Sequence, residues 1–412
     1  MNWTSLKYQI FLGFNVLAFF FLAWNGSIPQ FVSPLIAKVN FLTIAIAGTF
    51  VFGFLQDNYQ PLRPFKNWLS LTLFAFYLFY VFSVFTSNNQ AQALKALEYK
   101  MGIVFLAYVF FSNSLFYRKN KAFFLKTISL GLITLLLVLD IKALSIYFES
   151  SFFPTYTQYT HELHPTYVGL AAFIVLVLCL KKLEDSAFAL TSKNYLLIAI
   201  ALFMIIHLLL IQSRSTFICA ALAFVLYSYY FFFKKKKYVF ALLLVAFGAG
   251  VYFMKNLSLS NRVNEAYQTA VSSRQSADES GTNFRWNIIK SYPEILSSIW
   301  ISGVGKGDAQ DFLNSFYHEK GWKTAENSTY NAHNQFVQTW IEFGIVGLLL
   351  FALIFFWPMF LYRGFYFKMI LLGFGVSMFF ESLLERQAGI LLFVYIYCLF
   401  NCGIEHSKKI KL

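Results

Sequence analysis

Charged residues are scarce in this sequence. Only 13% of its 412 residues are Asp, Glu, Lys or Arg, whereas 58% are hydrophobic and 21% are aromatic. Soluble domains are on average about a quarter charged, because charge covers their surface. The composition therefore excludes a soluble globule and is typical of a polytopic membrane protein.

Cysteine is also rare, and its few copies all lie inside apolar runs: Cys179, Cys219, Cys398 and Cys402. None lies in the one long hydrophilic stretch of the chain. The sequence therefore predicts neither a disulfide framework nor a thiolate metal site.

The apolar runs have the length that a membrane span needs, about 17 to 25 helical residues. We predict an all-α polytopic membrane protein with about twelve transmembrane helices, at residues 8–24, 36–55, 68–85, 101–117, 124–148, 167–180, 195–211, 216–233, 238–254, 341–362, 369–384 and 388–404. The first run lacks a small-residue cleavage site and is followed by another span. We therefore expect a retained helix and not a removed signal peptide.

Basic residues predict the orientation of these spans, because Lys and Arg in short loops stay on the cytoplasmic side. Alternate loops carry eighteen of them, whereas the intervening short loops carry four: Lys95, Lys100, Arg214 and Arg386. We expect both termini in the cytoplasm of a bacterium and residues 255–340 on the periplasmic side of its inner membrane. The net charge of +14 reflects this bias and does not indicate a nucleic-acid partner.

The predicted organisation has three parts. Residues 1–254 hold transmembrane helices 1–9, residues 255–340 form a large periplasmic loop, and residues 341–412 hold helices 10–12 and a cytoplasmic tail. The loop itself is expected to be helical, because apolar residues recur at helical spacing in Phe284, Ile288, Ile289, Tyr292, Ile295, Leu296 and Ile299.

A glycine-rich segment at residues 303–307 interrupts this loop, and a capped second helix is expected to begin at Asp308. Backbone amides beside Lys306 could cradle a phosphate. However, the segment follows no strand and lacks the Gly-Lys-Ser/Thr ending of a P-loop, so we interpret it as a turn.

Two arginines on the outer side are candidates for function, since ionisable groups at membrane depth are costly. Arg214 lies in a very short connection between two spans, Gln212–Thr216, where its guanidinium suits phosphate oxygens. A snorkelling interfacial arginine is the alternative. Arg285 lies near the start of the loop's first helix and can reach the same surface.

His333 lies directly before the tenth span. Projected onto a helix, it shares a face with Gly344 and Gly347, which would let another helix pack closely. A neutral imidazole at that seam can accept a proton from a hydroxyl near pH 7. The alternative is a histidine that only caps or hydrogen-bonds at the interface.

Three motifs, in this order, resemble the O-antigen ligase and polymerase superfamily. Gln212–Thr216 is similar to the family's (Thr/Ser)-Arg-(Ser/Ala/Gly) turn, and Asn261–Glu265 with Phe284–Trp286 resembles the paired arginines of its periplasmic loop. The string from His333 to Gly347, HNQFVQTWIEFGIVG, resembles its histidine and adjacent polar residue before a span that begins Gly-hydrophobic-x-Gly. The resemblance covers roughly residues 160–400; the first five spans match only in hydropathy.

The resemblance implies a membrane glycosyltransferase. It would move a glycan from polyprenyl diphosphate to a hydroxyl of lipid A core, with inversion, at the periplasmic face. Arg214, Arg285 and, secondarily, Arg262 would bind the diphosphate, and His333 would be the general base. No cofactor or metal is implied, because guanidinium groups neutralise the diphosphate. Donor, acceptor and membrane lipids are then the expected partners.

Further residues are candidates for lining the substrate: His161, His164, Tyr167, Asn334, Glu385 and Arg386. The His-x-x-His spacing of the first two also fits a metal site, although Glu162 is the only carboxylate nearby. Glu381 clusters with Glu385 and Arg386 at the end of the eleventh span, and we expect the last two to form an ion pair.

Other functions remain open. A polymerase that joins lipid-linked repeat units, or a ligase that acts on protein hydroxyls, would use the same donor chemistry. A polysaccharide transporter is less well supported, because it would be expected to contain repeats with broken helices in matching positions.

Overall fold

The computed structural model describes residues 3–24, 29–30, 40–189, 191–233, 281–361 and 364–403. Within these residues the chain is helical and contains no strand, which confirms the predicted all-α class. Arg262 and the ninth predicted span, 238–254, lie outside the described residues.

The first described half of the chain contains α1 (Trp3–Phe21), α2 (Phe41–Phe54), α3 (Arg63–Lys66), α4 (Trp68–Thr86), α5 (Gln90–Ser112), α6 (Ser114–Ser150), α7 (Thr157–Thr160), α8 (Pro165–Asp185), α9 (Ser192–Ile211) and α10 (Arg214–Phe233). The second contains α11 (Gly281–Ser297), α12 (Ala309–Glu319), α13 (Lys323–Asn327), α14 (Gln335–Leu361), α15 (Phe365–Phe380), a 3₁₀ turn (Leu383–Glu385) and α16 (Gln387–Asn401).

Six of the described helices are long and apolar enough to cross a membrane: α1, α4, α6, α8, α9 and α14. The shorter apolar helices α2, α15 and α16 also overlap predicted spans, as do α5 and α10. The total of twelve spans and the orientation of the chain stay predictions.

The helix starts follow local rules that the sequence already shows. Asn67 and Asn89 accept hydrogen bonds from the first N–H groups of α4 and α5 at 3.0 and 3.2 Å. Pro165 is the first residue of α8, where its missing N–H has no helical partner to lose. At the centre of the bundle, α16 is buried on all sides from Gly389 to Leu399 and packs mainly on α5.

Residues 281–334, which are predicted to lie on the outer side of the membrane, form a lobe with its own small core, the outer lobe. Phe284, Ile288 and Ile295 of α11 pack against Leu313 and Tyr317 of α12. The second helix begins at Ala309, as the sequence predicts, but the Asp308 side chain does not cap it. That carboxylate instead accepts the backbone N–H groups that join α4 to α5, at Asn88 and Asn89, both at 2.8 Å. The lobe is therefore docked on the connection between α4 and α5.

Helix α14 is interrupted at Gly344, whose φ of +64° favours glycine. A Cβ there would overlap the Ile301 carbonyl, so a loop of the outer lobe approaches this glycine. At Gly344 the expected approach of a second helix is therefore wrong. Backbone groups freed by the break are satisfied by that loop, as buried helix breaks require, in three bonds: Val304 N–H to Ile341 O (2.9 Å), Gly305 N–H to Glu342 O (2.9 Å) and Ile345 N–H to Trp300 O (3.0 Å).

Candidate active site

His333 lies in the connection before α14 and not within that helix. Its φ is +49°. Asn334 caps the helix, since its Oδ1 accepts the N–H groups of Phe336 and Val337 at 2.9 and 3.2 Å. The predicted helical face that joins His333 to Gly344 is therefore wrong, because the helical projection does not apply before the cap.

The backbone around His333 is held from several sides. Its N–H donates to Asn331 Oδ1 at 2.9 Å, and the Ala332 carbonyl accepts from the Tyr292 hydroxyl at 2.7 Å. The imidazole lies edge-on to the rings of Phe284 and Tyr330, with centroids 5.7 and 5.6 Å away. A positive φ at a residue other than glycine persists where its surroundings determine it in this way, and such positions cluster at active sites.

Glu381 joins the two residues that the sequence singled out in the loop. It follows the last residue of α15, and its Oε2 lies 3.3 Å from His333 Nδ1. Its Oε1 accepts a hydrogen bond from Arg285 Nη2. The side chains of Glu381, His333 and Arg285 are 14%, 18% and 28% exposed, so the cluster is partly open. A carboxylate from the bundle thus binds a histidine and an arginine from the outer lobe.

The charge on Glu381 sets the proton arrangement of this cluster. Burial alone would raise the pKa of Glu381, but the His333 hydrogen bond and the Arg285 charge hold that pKa below its usual value. Glu381 is therefore ionised at neutral pH and accepts the proton of His333 Nδ1. In a neutral imidazole with this hydrogen bond, the second ring nitrogen, Nε2, is the hydrogen-bond acceptor.

His164 and Tyr167 complete one wall of the cluster from α8. His164 Nδ1 accepts the Thr166 N–H at 3.3 Å, and its ring lies 5.2 Å from that of Tyr167. Burial lowers the pKa of His164; the Glu381 charge opposes this, while the Arg386 charge adds to it. His164 therefore stays neutral at pH 7 and lies close to both the carboxylate and a guanidinium group.

Arg386 is exposed, and within the described part of the chain it forms no ion pair. The expected pair with Glu385 is wrong. Glu385 instead lies 2.9 Å from Lys100 Nζ and also binds Lys306. Lys100 and Lys306 bind this carboxylate instead, so the Arg386 guanidinium has no carboxylate partner among the described residues.

Arg214 is the first residue of α10 and is half-buried. Its turn lies beside the start of α8, because Ser213 Oγ is 3.4 Å from Thr166 Oγ1, two residues after His164. The described contacts therefore bring this turn to the His164 wall of the site. His161 is half-buried with a φ of +51° in the loop before that wall.

No group of three or more His, Cys, Asp or Glu side chains is placed to hold a metal ion, as far as the described residues go. His164 uses one ring nitrogen to accept the Thr166 N–H. His164 caps the start of α8, and His161 lies in the loop before it.

A model of a known protein family, described as O-antigen ligase, matches residues 199–352. Residues 199–352 are therefore similar to O-antigen ligases. The match covers a little over a third of the chain and includes Arg214, Arg285 and His333, and it confirms the resemblance in the sequence. The family indicates a membrane glycosyltransferase that acts on lipid-linked glycans. No curated protein matches the chain.

Proposed function

We propose that this protein transfers a glycan from a polyprenyl-diphosphate donor to a hydroxyl of lipid A core, at the periplasmic face of the bacterial inner membrane. The observation that carries the proposal is the Glu381 carboxylate, which joins His333 to Arg285 within a partly open cluster. The match of residues 199–352 to O-antigen ligases supports the same reaction class.

His333 acts as the general base in this proposal. Its Nε2 takes the proton of the acceptor hydroxyl while that oxygen attacks the anomeric carbon of the glycan. The bond between this carbon and the phosphate oxygen breaks on the opposite face, so the configuration inverts and polyprenyl diphosphate leaves. Glu381 keeps the imidazole in the required tautomer and stabilises the imidazolium that forms, as carboxylates do beside catalytic histidines.

The arginines bind the diphosphate. A guanidinium carries five N–H donors, so Arg285 keeps donors for phosphate oxygens after it has bound Glu381. Arg386 adds a charge that no described carboxylate offsets. Arg214 is a further guanidinium group, at the start of α10. Guanidinium groups can neutralise a diphosphate leaving group in this way without a metal ion.

Deletion of the gene tests the acceptor. Loss of all long glycan chains on lipid A core would support ligation, whereas a single capped repeat unit would indicate polymerisation of repeat units. An unchanged glycolipid ladder with altered glycoproteins would indicate a protein acceptor. Complementation with the wild-type chain and with Glu381→Gln separates loss of this site from loss of the protein.

A further inference from the structure

Two lysines and two glutamates form a buried ionic cluster beneath the candidate active site. Lys306 Nζ lies 2.7 Å from Glu342 Oε1 and also binds Glu385, whose other oxygen lies 2.9 Å from Lys100 Nζ. None of the four side chains is more than 15% exposed. The cluster contains equal numbers of cations and carboxylates, which is the condition under which charges can be buried.

Lys306 is central to this cluster because it binds both carboxylates. Burial alone would lower the pKa of Lys306, but the charges of Glu342 and Glu385 raise it. The charges of Lys100 and Lys306 lower the pKa of Glu385 against its own burial. Both groups are therefore charged at neutral pH, and removing either one leaves an unpaired charge in a poorly hydrated place.

The backbone around Lys306 is docked on α4. The Lys306 N–H donates to Ser83 Oγ at 2.6 Å, and the Gly307 N–H donates to Ser87 Oγ at 3.1 Å. A Cβ on Gly305 would lie only 2.6 Å from Ser87 Oγ, which explains a glycine there. Since these amides are already occupied, the glycine-rich segment is a docking turn, and its lysine points into the protein.

From Lys306, one chain of contacts leads to His333. Glu342 Oε1 accepts a hydrogen bond from Gln338 Nε2 at 2.9 Å. Gln338 Oε1 in turn accepts the Ala332 N–H at 3.0 Å, directly before His333. The ammonium group is thus connected through two buried side chains to the backbone that carries the proposed base.

A second chain of contacts leads from Lys306 to Glu381. Glu385 belongs to the 3₁₀ turn that follows Glu381, and the Leu384 carbonyl in this turn accepts from Lys100 Nζ. The Leu384 N–H donates to Gln335 Oε1 at 2.6 Å. Lys306 therefore holds the segment that carries the carboxylate as well as the segment that carries the histidine.

We propose that Lys306 is a positioning residue, which fixes the separation of His333 and Glu381 without touching the substrate. This inference rests on the proposed function, because it assigns the positioning to glycosyl transfer. A misplacement of about 1 Å in a reacting group can cost on the order of 10² in rate. Loss of the Lys306 contacts with Glu342 and Glu385 is therefore expected to lower kcat by roughly ten- to a hundredfold. The KM for the donor should stay near the wild-type value.

The geometry can be tested without activity. Cysteines introduced at Ser297, the last residue of α11, and at Gln387, the first residue of α16, can carry spin labels because both positions are exposed. The labels report the distance between the outer lobe and the segment that follows the 3₁₀ turn. The four native cysteines are buried, so labelling is selective. We expect Lys306→Met to broaden the distance distribution in reconstituted protein. The matched control is Lys320→Met, which breaks an exposed pair with Glu294 in the same lobe and should leave the distribution unchanged.

A second variant covers the case in which Lys306→Met does not fold. Lys306→Met with Glu342→Gln removes one cation and one carboxylate, so the charges balance again, while the tie to Glu385 stays broken. We expect this variant to fold, with a broadened distance and a lowered kcat. A wild-type distance and a wild-type kcat in this variant would overturn the proposal.

The two failures are distinguishable. If the wild-type protein transfers no glycan, the proposed function is wrong, and the distance measurement still decides whether Lys306 positions the two segments. If wild type transfers glycan and the balanced variant does so equally well, the proposed function stands and the role of Lys306 is refuted.

Discussion

Glu381→Gln is the substitution that most directly separates the proposed mechanism from a structural role of the cluster. The amide has nearly the shape of the carboxylate, but it carries one acceptor oxygen and one donor nitrogen. Arg285 can only donate, so it retains the oxygen. The amide nitrogen then faces His333 Nδ1 and donates a hydrogen bond to it. In the wild type, Nδ1 donates a hydrogen bond to the carboxylate.

This exchange places the imidazole proton on Nε2, the atom that should accept the proton of the acceptor hydroxyl. A general base contributes about 10² to 10⁴ in rate. Because the base stays in place in the wrong tautomer, we expect a loss on the order of 10³ in kcat, which corresponds to about 4 kcal/mol of barrier. Glu381→Asp keeps the charge but is too short to reach both partners, and it should lose less.

The assay is transfer of a lipid-linked glycan to lipid A core by protein reconstituted in vesicles, with donor binding measured separately. Binding should survive in Glu381→Gln, since Arg214 and Arg386 are untouched. Near-normal kcat in this variant, with insertion and thermal unfolding like those of the wild type, would refute the role of Glu381 and with it the tautomer argument.

The lowered pKa of Glu381 also predicts how stability depends on pH. A depressed carboxyl pKa stabilises the fold fully above the unfolded value, about 4.3, and this contribution is lost as pH falls through the lower folded value. The difference in thermal unfolding between wild type and Glu381→Gln should therefore persist from about pH 8 to 5 and shrink below about pH 4. A difference that disappears already between pH 7 and 5 would contradict the ionised state proposed for Glu381.

Three further predictions concern the base, the cations and the metal. His333→Ala should lose on the order of 10² to 10⁴ in kcat and still bind donor, which equilibrium binding with a labelled donor checks. Arg214→Ala and Arg285→Ala should lose most activity, and Arg386→Ala should weaken donor binding. Substitution by Lys should rescue these losses only partly, because an ammonium group cannot bind a phosphate in bidentate fashion. Normal transfer by all three alanine variants would exclude the diphosphate site. Purified protein should work in excess EDTA, and abolition with recovery on one divalent ion would revive a metal at His161 and His164.

The sequence predicts the helices of this fold well, because each span is a local apolar run. The start of α14 was also within reach: Asn334 before an apolar run is an ordinary cap signal, and it places His333 outside the helix. The helical projection was extended past this cap to His333. The prediction that His333 shares a helical face with Gly344 failed for this reason. The break at Gly344 was less accessible, since a glycine in an apolar run fits close helix packing equally well.

The partners of the charged residues could not be predicted in the same way. Glu381 and His333 are 48 residues apart, and Lys100 and Glu385 are 285 apart. No periodicity connects positions so distant, so the sequence does not show which of these charged residues pair. Proximity in the chain suggested that Glu385 pairs with Arg386. In the fold, Glu385 pairs instead with two buried lysines, Lys100 and Lys306. The sequence does single out Glu381, as an ionisable residue at the end of a span, without showing what it binds.

Burial and charge balance decide which of the two ionic clusters is suited to chemistry. The cluster of Lys100, Lys306, Glu342 and Glu385 is closed, and its charges cancel, so an added anion would find neither space nor uncompensated charge. The cluster around Glu381 is more open, and Arg285 with Arg386 outweighs its one carboxylate when the histidine is neutral. An anionic leaving group is stabilised where fixed cations exceed fixed anions and the reacting atoms have access. Ionisable side chains thus support the structure in one place and form the proposed reactive site in the other.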